Sequence, residues 1–190
     1  MPSTARFLRE SASGSSSQTH FGAWAIVSSP LVLGFDLRDK NMTDLHWDTI
    51  TNTDAIQVNQ DYSGHSGSMF AQSTEMVTLH ACDWKAGVSE QWPSSMSWYK
   101  PLSGRDLRGA TIAVLLMNNG YEPAKLSFKF SELPGLDDAT SKCTVCFMSC
   151  PVFLSRFCSL TSGGGGLCMG MGQLYDVWGK KAIGAVSGSG

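Results

Sequence analysis

The sequence predicts a short α/β segment followed by an antiparallel, all-β part. Residues 18–61 show, in order, the patterns of a helix, a buried strand, a loop and a second helix. From Met69 onward the chain breaks into short β segments separated by turn residues. Among these, Leu126-Ser127-Phe128-Lys129-Phe130 alternates apolar and polar side chains, which is typical of a strand with one buried face.

The first helix of the α/β segment is predicted to begin at a capping box formed by Ser15 and Gln18. Pro30 lies beyond its end, since proline cannot continue a helix. The following run, Leu31-Val32-Leu33-Gly34-Phe35, is apolar without alternation, which indicates a strand buried on both faces of a parallel sheet. One helix face collects the residues expected to point inward: Phe21, Trp24, Ala25 and Ser28.

The second helix is predicted to begin at a Thr43 cap and to place Leu45 and Thr49 inward. A short further turn carries an apolar set and leaves through Asn59-Gln60-Asp61. In α/β proteins functional residues gather where a parallel strand ends, so the functional edge is expected near Asp36. The apolar set of the further turn comprises Ala55, Ile56 and Val58.

The all-β part contains three further strand patterns, at 76–81, 96–100 and 111–117. Asn118-Asn119-Gly120 follows the last of them and predicts a tight hairpin turn, because an Asn-Gly pair tolerates positive φ angles. Several large side chains could form a platform on which sugars stack, although core and edge packing is the favoured interpretation. They are Trp84, Trp92, Trp98 and Met96.

Two groups of motifs stand in a fixed order along the chain. The first comprises Trp24-Ala25-Ile26, Ser29-Pro30-Leu31, Gly34-Phe35-Asp36-Leu37-Arg38 and Ala55-Ile56-Gln57-Val58-Asn59-Gln60-Asp61; the second comprises 98–102, 128–133 and 175–184. The first group resembles the end of the catalytic barrel of α-galactosidases (melibiases) of glycoside hydrolase family 27, and the second resembles that family's C-terminal domain. The resemblance implies a partial (β/α)8 barrel end followed by a C-terminal antiparallel β-sandwich.

The same resemblance divides the chain. Residues 1–17 are expected to be a disordered N-terminus, 18–61 the barrel end and 69–190 the sandwich. Residues 146–174 differ in composition from their surroundings and contain four of the six cysteines, so they are interpreted as an insertion that interrupts a strand. A translated intron is its simplest explanation. Both ends of the sequence look incomplete against the family pattern, and the chain is predicted to be a fragment.

Enzymes of this family retain configuration with two Asp carboxylates, which must lie about 5 Å apart. The family motifs that carry these residues do not occur in this sequence, so no catalytic or substrate-binding residue is assigned, and the chain alone is expected to be inactive. Asp36 is interpreted as a structural residue of the barrel rim. Asp61 is interpreted as a cap or loop acceptor, and Asp137 and Asp138 as solvated loop residues.

Cys143-x-x-Cys146-x-x-x-Cys150 has a zinc-like spacing that Cys158 or Cys168 could complete. The spacings after Cys146 match no common zinc module, so free or randomly paired thiols are the preferred interpretation. Gly163 to Gly166 do not form a phosphate loop, because no Lys-Ser/Thr pair follows them. Neither a metal nor a cofactor is predicted. The scattered histidines are interpreted as structural: His20, His46, His65 and His80.

The net charge is −2 without charged blocks, which indicates neither a nucleic-acid partner nor an anionic membrane surface. The family is secreted or lysosomal, whereas the N-terminal residues lack an apolar core of signal-peptide length. For the full-length parent, the resemblance implies hydrolysis of terminal α-linked galactose from galactosides; no oligomeric state is predicted. Two other hypotheses stay open: a carbohydrate-binding or interaction β-sandwich module, and a cysteine-rich metal module between Cys143 and Cys168.

Overall fold

The computed structural model describes residues 14–80, 89–105, 110–120, 124–129, 132–134, 142–146, 154–161 and 172–186. Within these residues, three helices come first: α1 (Gly14–Ile26), α2 (Lys40–Ile50) and α3 (Thr53–Gln60). The described part of the chain then contains ten strands: β1 (Ser68–Gln72), β2 (Met76–His80), β3 (Ser89–Pro93), β4 (Ser95–Pro101), β5 (Ala110–Asn118), β6 (Lys125–Lys129), β7 (Lys142–Cys146), β8 (Leu154–Thr161), β9 (Gly172–Asp176) and β10 (Lys181–Val186).

Six of these strands form one sheet in the order β1-β4-β5-β8-β9-β10. Each neighbouring pair runs antiparallel. The pairs β2–β3 and β6–β7 form two separate antiparallel ladders. The predicted antiparallel character of the β part is therefore confirmed for the described strands, as are the strand patterns at 76–81, 96–100, 111–117 and 126–130 to within a residue or two at their ends.

Helix α1 begins at Gly14, so Ser15 lies inside the helix and the predicted capping box is wrong. Residues 14–17 are likewise helical rather than disordered, and residues 1–13 lie outside the described part. The helix ends at Ile26, as the downstream proline requires. Ser28 adopts a φ of 55°, and the backbone N–H of Ser29 donates to the Trp24 carbonyl over 3.0 Å. This left-handed residue terminates the helix.

Helix α2 begins one residue after Asp39, whose carboxylate accepts the Met42 N–H at 3.2 Å. The predicted Thr43 cap is wrong, because Asp39 caps the helix one turn earlier and Thr43 instead donates its hydroxyl to the Leu37 carbonyl. Thr49 is buried as predicted, but Leu45 is 47% exposed. The inward position three residues before Thr49 belongs to His46, which is fully buried.

The apolar run 31–35 does not form the predicted strand of a parallel sheet. Its backbone is irregular, and no described strand pairs with it. A strand needs a neighbour to satisfy its N–H and C=O groups, and the described elements offer none on either side. Val32 and Leu33 are consequently 63% and 41% exposed instead of buried on both faces.

The main core lies between two helices and one face of the six-stranded sheet. Ala25 from α1 and Val58 from α3 meet Leu115 from β5, and all three are fully buried. The opposite sheet face also has a cover, since Phe128 on β6 is buried and its ring lies 5.7 Å from that of Phe70 on β1. Burial from both sides explains why β5 carries an unbroken apolar run: Ile112, Ala113, Val114, Leu115 and Leu116.

The hairpin predicted at Asn118-Asn119-Gly120 is wrong. Strand β5 already pairs with β4 and β8 on its two edges, so β6 cannot add to it and pairs with β7 instead. The turn has a different role: Asn119 donates its backbone N–H to the Ser94 carbonyl at 2.8 Å and its side-chain amide to the Pro93 carbonyl at 2.8 Å. It therefore ties the end of β5 to the β3–β4 connection.

The segment interpreted as an insertion contributes a strand. β8 lies between β5 and β9 in the six-stranded sheet, while β7 pairs with β6 elsewhere and Tyr175 lies in β9. The segments before and after the proposed insertion thus occupy different sheets. Whether residues 146–174 entered as an insertion stays a prediction, as do the domain boundaries. None of the described helices is long and apolar enough to cross a bilayer.

Candidate functional site

Asp36, at the predicted functional edge, forms an ion pair with Arg38. The guanidinium Nη2 lies 2.9 Å from Oδ2, Nε lies 3.0 Å from Oδ1, and the Arg38 backbone N–H donates to Oδ1 at 2.9 Å. These bonds hold the pKa of Asp36 below its ordinary value and raise that of Arg38. Both side chains are exposed. The arrangement keeps the carboxylate ionised and fastens the turn, which agrees with a structural role.

Asp61 joins the helical segment to the sheet. It follows α3, and its two carboxylate oxygens each accept the Ser103 backbone N–H at 3.0 Å. Oδ2 also accepts the Ser103 hydroxyl at 2.9 Å. The prediction that Asp61 is a cap or loop acceptor is confirmed. The donor, Ser103, lies in the loop that follows β4, 42 residues further along the chain.

Lys100 on β4 lies beside this contact and is completely buried. Its ammonium donates to the backbone carbonyls of Val58, through a short bond, and of Asn59 at 3.1 Å. Those carbonyls belong to the last turn of α3, where helical C=O groups have no partner within the helix. Burial lowers the pKa of Lys100 to about 8, while the negative charge of Asp61 acts in the opposite direction.

Two asparagines extend the same junction. The Asn59 amide donates to the carbonyls of Trp24 at 3.2 Å and Ser29 at 2.8 Å, which fixes the end of α1 against α3. Asn52 caps α3 by accepting two backbone N–H groups, and its amide donates to the Val177 carbonyl at 3.0 Å. Lys100, Asp61, Asn59 and Asn52, here called the junction residues, thus hold α1, α3 and the sheet together.

A small apolar cavity of about 20 Å³ lies between α1 and α2. Ser17 and His46 border it, and the Ser17 hydroxyl lies 2.9 Å from His46 Nδ1, with both residues buried. His20 also borders it, and its ring packs against that of Trp24 at an angle of 58° with centroids 4.5 Å apart. Burial lowers the pKa of His20. A sugar-binding site needs several hundred Å³, so this cavity cannot hold a saccharide.

The aromatic residues considered as a sugar platform do not share one surface. Trp98 and Met96 lie on β4, where Met96 is buried and Trp98 packs against the main core. Trp92 lies on the separate β2–β3 ladder and is 40% exposed, with its indole N–H donating to Glu90 at 3.1 Å. Trp84 falls outside the described residues. Core packing is therefore the role of the two residues on β4.

The cysteine spacing does not assemble a metal site in the described part of the chain. Cys143 and Cys146 lie on β7, whereas Cys158 lies on β8 in a different sheet. No cluster of three or more His, Cys, Asp or Glu residues is found among the described residues. Other residues singled out from the sequence lie outside that part: Cys150, Cys168, Asp137, Asp138 and Gly163 to Gly166.

The remaining histidines occupy unrelated positions. His65 is exposed in the loop before β1, and its Nδ1 contacts the Ser66 carbonyl. His80 ends β2. His20 and His46 both border the small cavity, which the sequence spacing did not predict, because they lie on two helices whose packing depends on tertiary contacts.

Sequence reasoning missed Lys100 as a buried residue. The only signal is its place in a strand with apolar neighbours, Trp98 and Tyr99, and a proline after it. Asn52 was missed too, although Asn is a preferred N-cap residue and stands immediately before α3. Both residues act through backbone carbonyls far away in the sequence, and no local pattern reveals such partners.

No family model matches the chain. The chain is 26% identical over 115 residues to α-galactosidase 2 of Arabidopsis thaliana, covering 60% of this chain and 22% of that protein. It is 27% identical over 124 residues to an α-galactosidase of Cyamopsis tetragonoloba, covering 65% and 24%. The chain therefore spans less than a quarter of the length of these curated relatives.

A solved structure, α-galactosidase I from Mortierella vinacea, matches the fold with a TM-score of 0.54 and 20% identity. The match covers 95% of this chain and 32% of that one. Sequence and fold thus agree with the resemblance drawn from the motifs, and this chain is similar to the C-terminal region of the α-galactosidases.

Proposed function

We propose that this chain is part of an α-galactosidase-like glycoside hydrolase that releases terminal α-linked galactose from galactosides with retention of configuration. The observation that carries this proposal is the similarity to α-galactosidases over about 60% of the chain, together with the matching fold. Within such an enzyme, the chain would supply three helices at the end of the catalytic barrel and the β domain that packs against them.

On its own, the chain would not hydrolyse galactosides. A retaining mechanism needs one carboxylate as nucleophile and a second as acid and base, about 5 Å apart across the glycosidic bond. Three carboxylates of the described residues are engaged otherwise: Asp36 by Arg38, Asp61 by Ser103, and Asp54 by the Tyr175 hydroxyl at 2.9 Å. These contacts favour structural roles for all three.

An assay of the purified chain with a chromogenic α-galactoside tests the inactivity. We expect no turnover above the buffer rate, and an intact α-galactosidase in the same assay shows that the substrate is competent. Turnover that disappears in Asp36→Asn would contradict the proposal, because it would place a catalytic carboxylate at the exposed edge of this chain.

The coding sequence upstream of Met1 tests the larger part of the proposal. We expect an in-frame extension that encodes further strands ending in Asp, including the two carboxylates that the mechanism requires. A stop codon in frame shortly before Met1, in both genome and transcript, would instead show that the chain acts without a barrel of its own.

The second candidate is a carbohydrate-binding module, and the exposure of Trp92 favours it. An exposed indole beside a carboxylate can stack on a sugar ring while Glu90 accepts a hydroxyl. Titration with galactosides would then change the tryptophan fluorescence of the wild type and of Trp47→Ala, which removes another exposed indole, but not that of Trp92→Ala. No change across a panel of galactosides would exclude this candidate.

A further inference from the structure

Lys100 is the feature that neither the resemblance nor the proposed function explains. It is the largest fully buried side chain of the described residues, and it is a lysine. Charged side chains are rarely buried completely, because removing an ammonium from water is costly unless its donors are satisfied. A fully buried lysine therefore needs hydrogen-bond acceptors for its ammonium within the fold.

Those surroundings consist of helix carbonyls. Lys100 projects from β4 toward α3 and donates to the carbonyls of Val58 and Asn59. The C-terminal end of a helix carries a partial negative charge, so an ammonium placed there is stabilised by the dipole as well as by the two bonds. The residue acts as a C-terminal cap that comes from another element of the fold.

The capped turn also controls its neighbours. Asn59, whose carbonyl accepts from Lys100, uses its own amide to hold the end of α1 through Trp24 and Ser29. Asp61, the residue directly after α3, holds the loop after β4 through its bond to Ser103. A displacement of the last turn of α3 would therefore loosen α1 and that loop together.

The charged groups around Lys100 can be followed element by element. Asp61 favours the ammonium, and strand β5 brings Ala113 opposite Lys100 and contributes no titratable group among its described residues. Strand β1, the other neighbour of β4, contributes none either. The remaining titratable side chains of the adjoining described elements are Asp54 on α3, Tyr99 on β4, His20 on α1, and Tyr62, His65 and Arg105 in the flanking loops.

We propose that the Lys100 amine makes the docking of α3 onto the sheet dependent on pH, with the junction tighter when this amine is neutral. In the charged form the fold keeps an ammonium out of water, and among the described residues two carbonyls at the C-terminal end of a helix and one carboxylate offset part of that cost. In the neutral form the amine still donates to the same carbonyls without the cost of burying a charge.

The direction of the pH effect follows from linkage. Burial lowers the pKa of Lys100 from 10.5 to about 8, so between these values the unfolded chain binds the proton that the folded chain has released. Stability rises with pH wherever the unfolded state binds more protons. The pH-dependent contribution of Lys100 therefore increases from about pH 8 toward pH 10.5, and it is constant below about pH 7, where the folded and the unfolded chain both hold the proton.

The first experiment compares wild type with Lys100→Met, which keeps the length of the stem and removes the amine. Urea unfolding at several values from about pH 7 to pH 10 gives the ratio of the unfolding constants, wild type over variant. We expect this ratio to fall by at least about tenfold over that range. The matched control is Lys125→Met. Lys125 on β6 is exposed, so this substitution removes an ammonium that stays in water when the chain folds. Its ratio should stay flat, and a flat ratio for Lys100→Met as well would overturn the proposal.

The second experiment does not depend on a variant that folds. Titration of the lysine side chains of the wild type, followed by NMR of the carbon atoms next to each amine, reports the protonation of Lys100 directly. We expect a midpoint near pH 8 for Lys100. Asp61→Asn should lower this midpoint further, because it removes the charge that favours the ammonium. A wild-type midpoint near 10.5 would contradict the proposal.

Discussion

Asn52 and Val177 are hydrogen-bonded across 125 residues of sequence. The Asn52 side-chain amide donates to the Val177 backbone carbonyl at 3.0 Å, and both residues are buried. The oxygen of the same side chain accepts the backbone N–H groups of Asp54 and Ala55, each at 3.1 Å. One asparagine thus begins α3 and fastens it to the turn that follows β9.

Replacing Asn52 should therefore remove two kinds of contact at once. Asn52→Ala loses the helix cap, worth about 1 kcal/mol, and leaves a buried carbonyl without its donor, which costs about 1–3 kcal/mol. We expect the free energy of unfolding, measured by urea denaturation, to fall by about 2–4 kcal/mol.

The helix cap alone can be measured on α2. Asp39 caps that helix at an exposed position and makes no long-range bond among the described contacts, so Asp39→Ala should cost only about 1 kcal/mol. Equal losses for Asn52→Ala and Asp39→Ala would show that the bond to Val177 contributes nothing to stability.

Gly67 lies between the end of α1 and strand β4. Its backbone N–H donates to the Ile26 carbonyl at 2.9 Å. A Cβ at this position would lie 2.2 Å from the Ile26 oxygen and 2.7 Å from the Tyr99 oxygen, which are both backbone atoms. Because backbone cannot turn aside as a side chain can, Gly67→Ala should lower the free energy of unfolding by about 3 kcal/mol, measured by thermal or urea denaturation.

Gly120→Ala is the matched control for this glycine substitution. The nearest atom to its added Cβ would be the Asn118 side-chain oxygen at 3.2 Å, which can move by rotation. We expect a loss below about 1 kcal/mol. A loss at Gly67 as small as that at Gly120 would mean that the end of α1 is not held against β4 as described.

Leu115 and Leu45 test which apolar residues form the core. Leu115 is fully buried on β5, whereas Leu45 is 47% exposed on α2. Leu115→Ala should cost about 2–5 kcal/mol, because it removes buried methyl groups and leaves a cavity. Leu45→Ala should cost less than about 0.5 kcal/mol. Denaturation curves of the two variants decide the matter, and comparable losses would contradict the burial pattern of α2.

The contrast between these two leucines shows how far the sequence could predict the fold. Residues 111–117 were predicted to form a strand, and their unbroken apolar run agrees with the structure, because Val114, Leu115 and Leu116, which alternate between the two faces of β5, are all buried. Leu45 was placed inward by the same preference for apolar burial. That prediction failed because the face of α2 that points inward is set by its packing against α1, where Ser17 contacts the buried His46, and this packing leaves Leu45 on the outer side.

The failed strand at 31–35 has a different cause. Its apolar pattern predicts burial on two faces, yet burial requires neighbouring strands, and a single sequence pattern cannot say whether such neighbours are present. The junction residues illustrate the remaining gap. Asp61 was identified as an acceptor from its local motif. Its partner Ser103 lies in the loop after β4, and Lys100 lies on β4 itself, and only the tertiary structure brings these two residues near Asp61.

The exposed apolar side chains in and beside residues 31–35 should make the chain prone to associate with itself. Val32 is 63% exposed and Leu37 is 58% exposed, and Leu33 lies between them at 41%. Contiguous apolar surface of this kind promotes association and binds hydrophobic dyes. The variant Val32→Ser with Leu37→Ser should therefore bind less dye and aggregate less, measured by dye fluorescence and light scattering at equal concentration. Its free energy of unfolding should stay within about 0.5 kcal/mol of wild type, since neither side chain is buried.

Met76→Ser with Tyr62→Ser, which removes two other exposed apolar side chains at separate places, serves as the control and should change dye binding less. Equal reductions for the two double variants would show that the association is a property of the whole surface and not of the segment between Leu31 and Leu37.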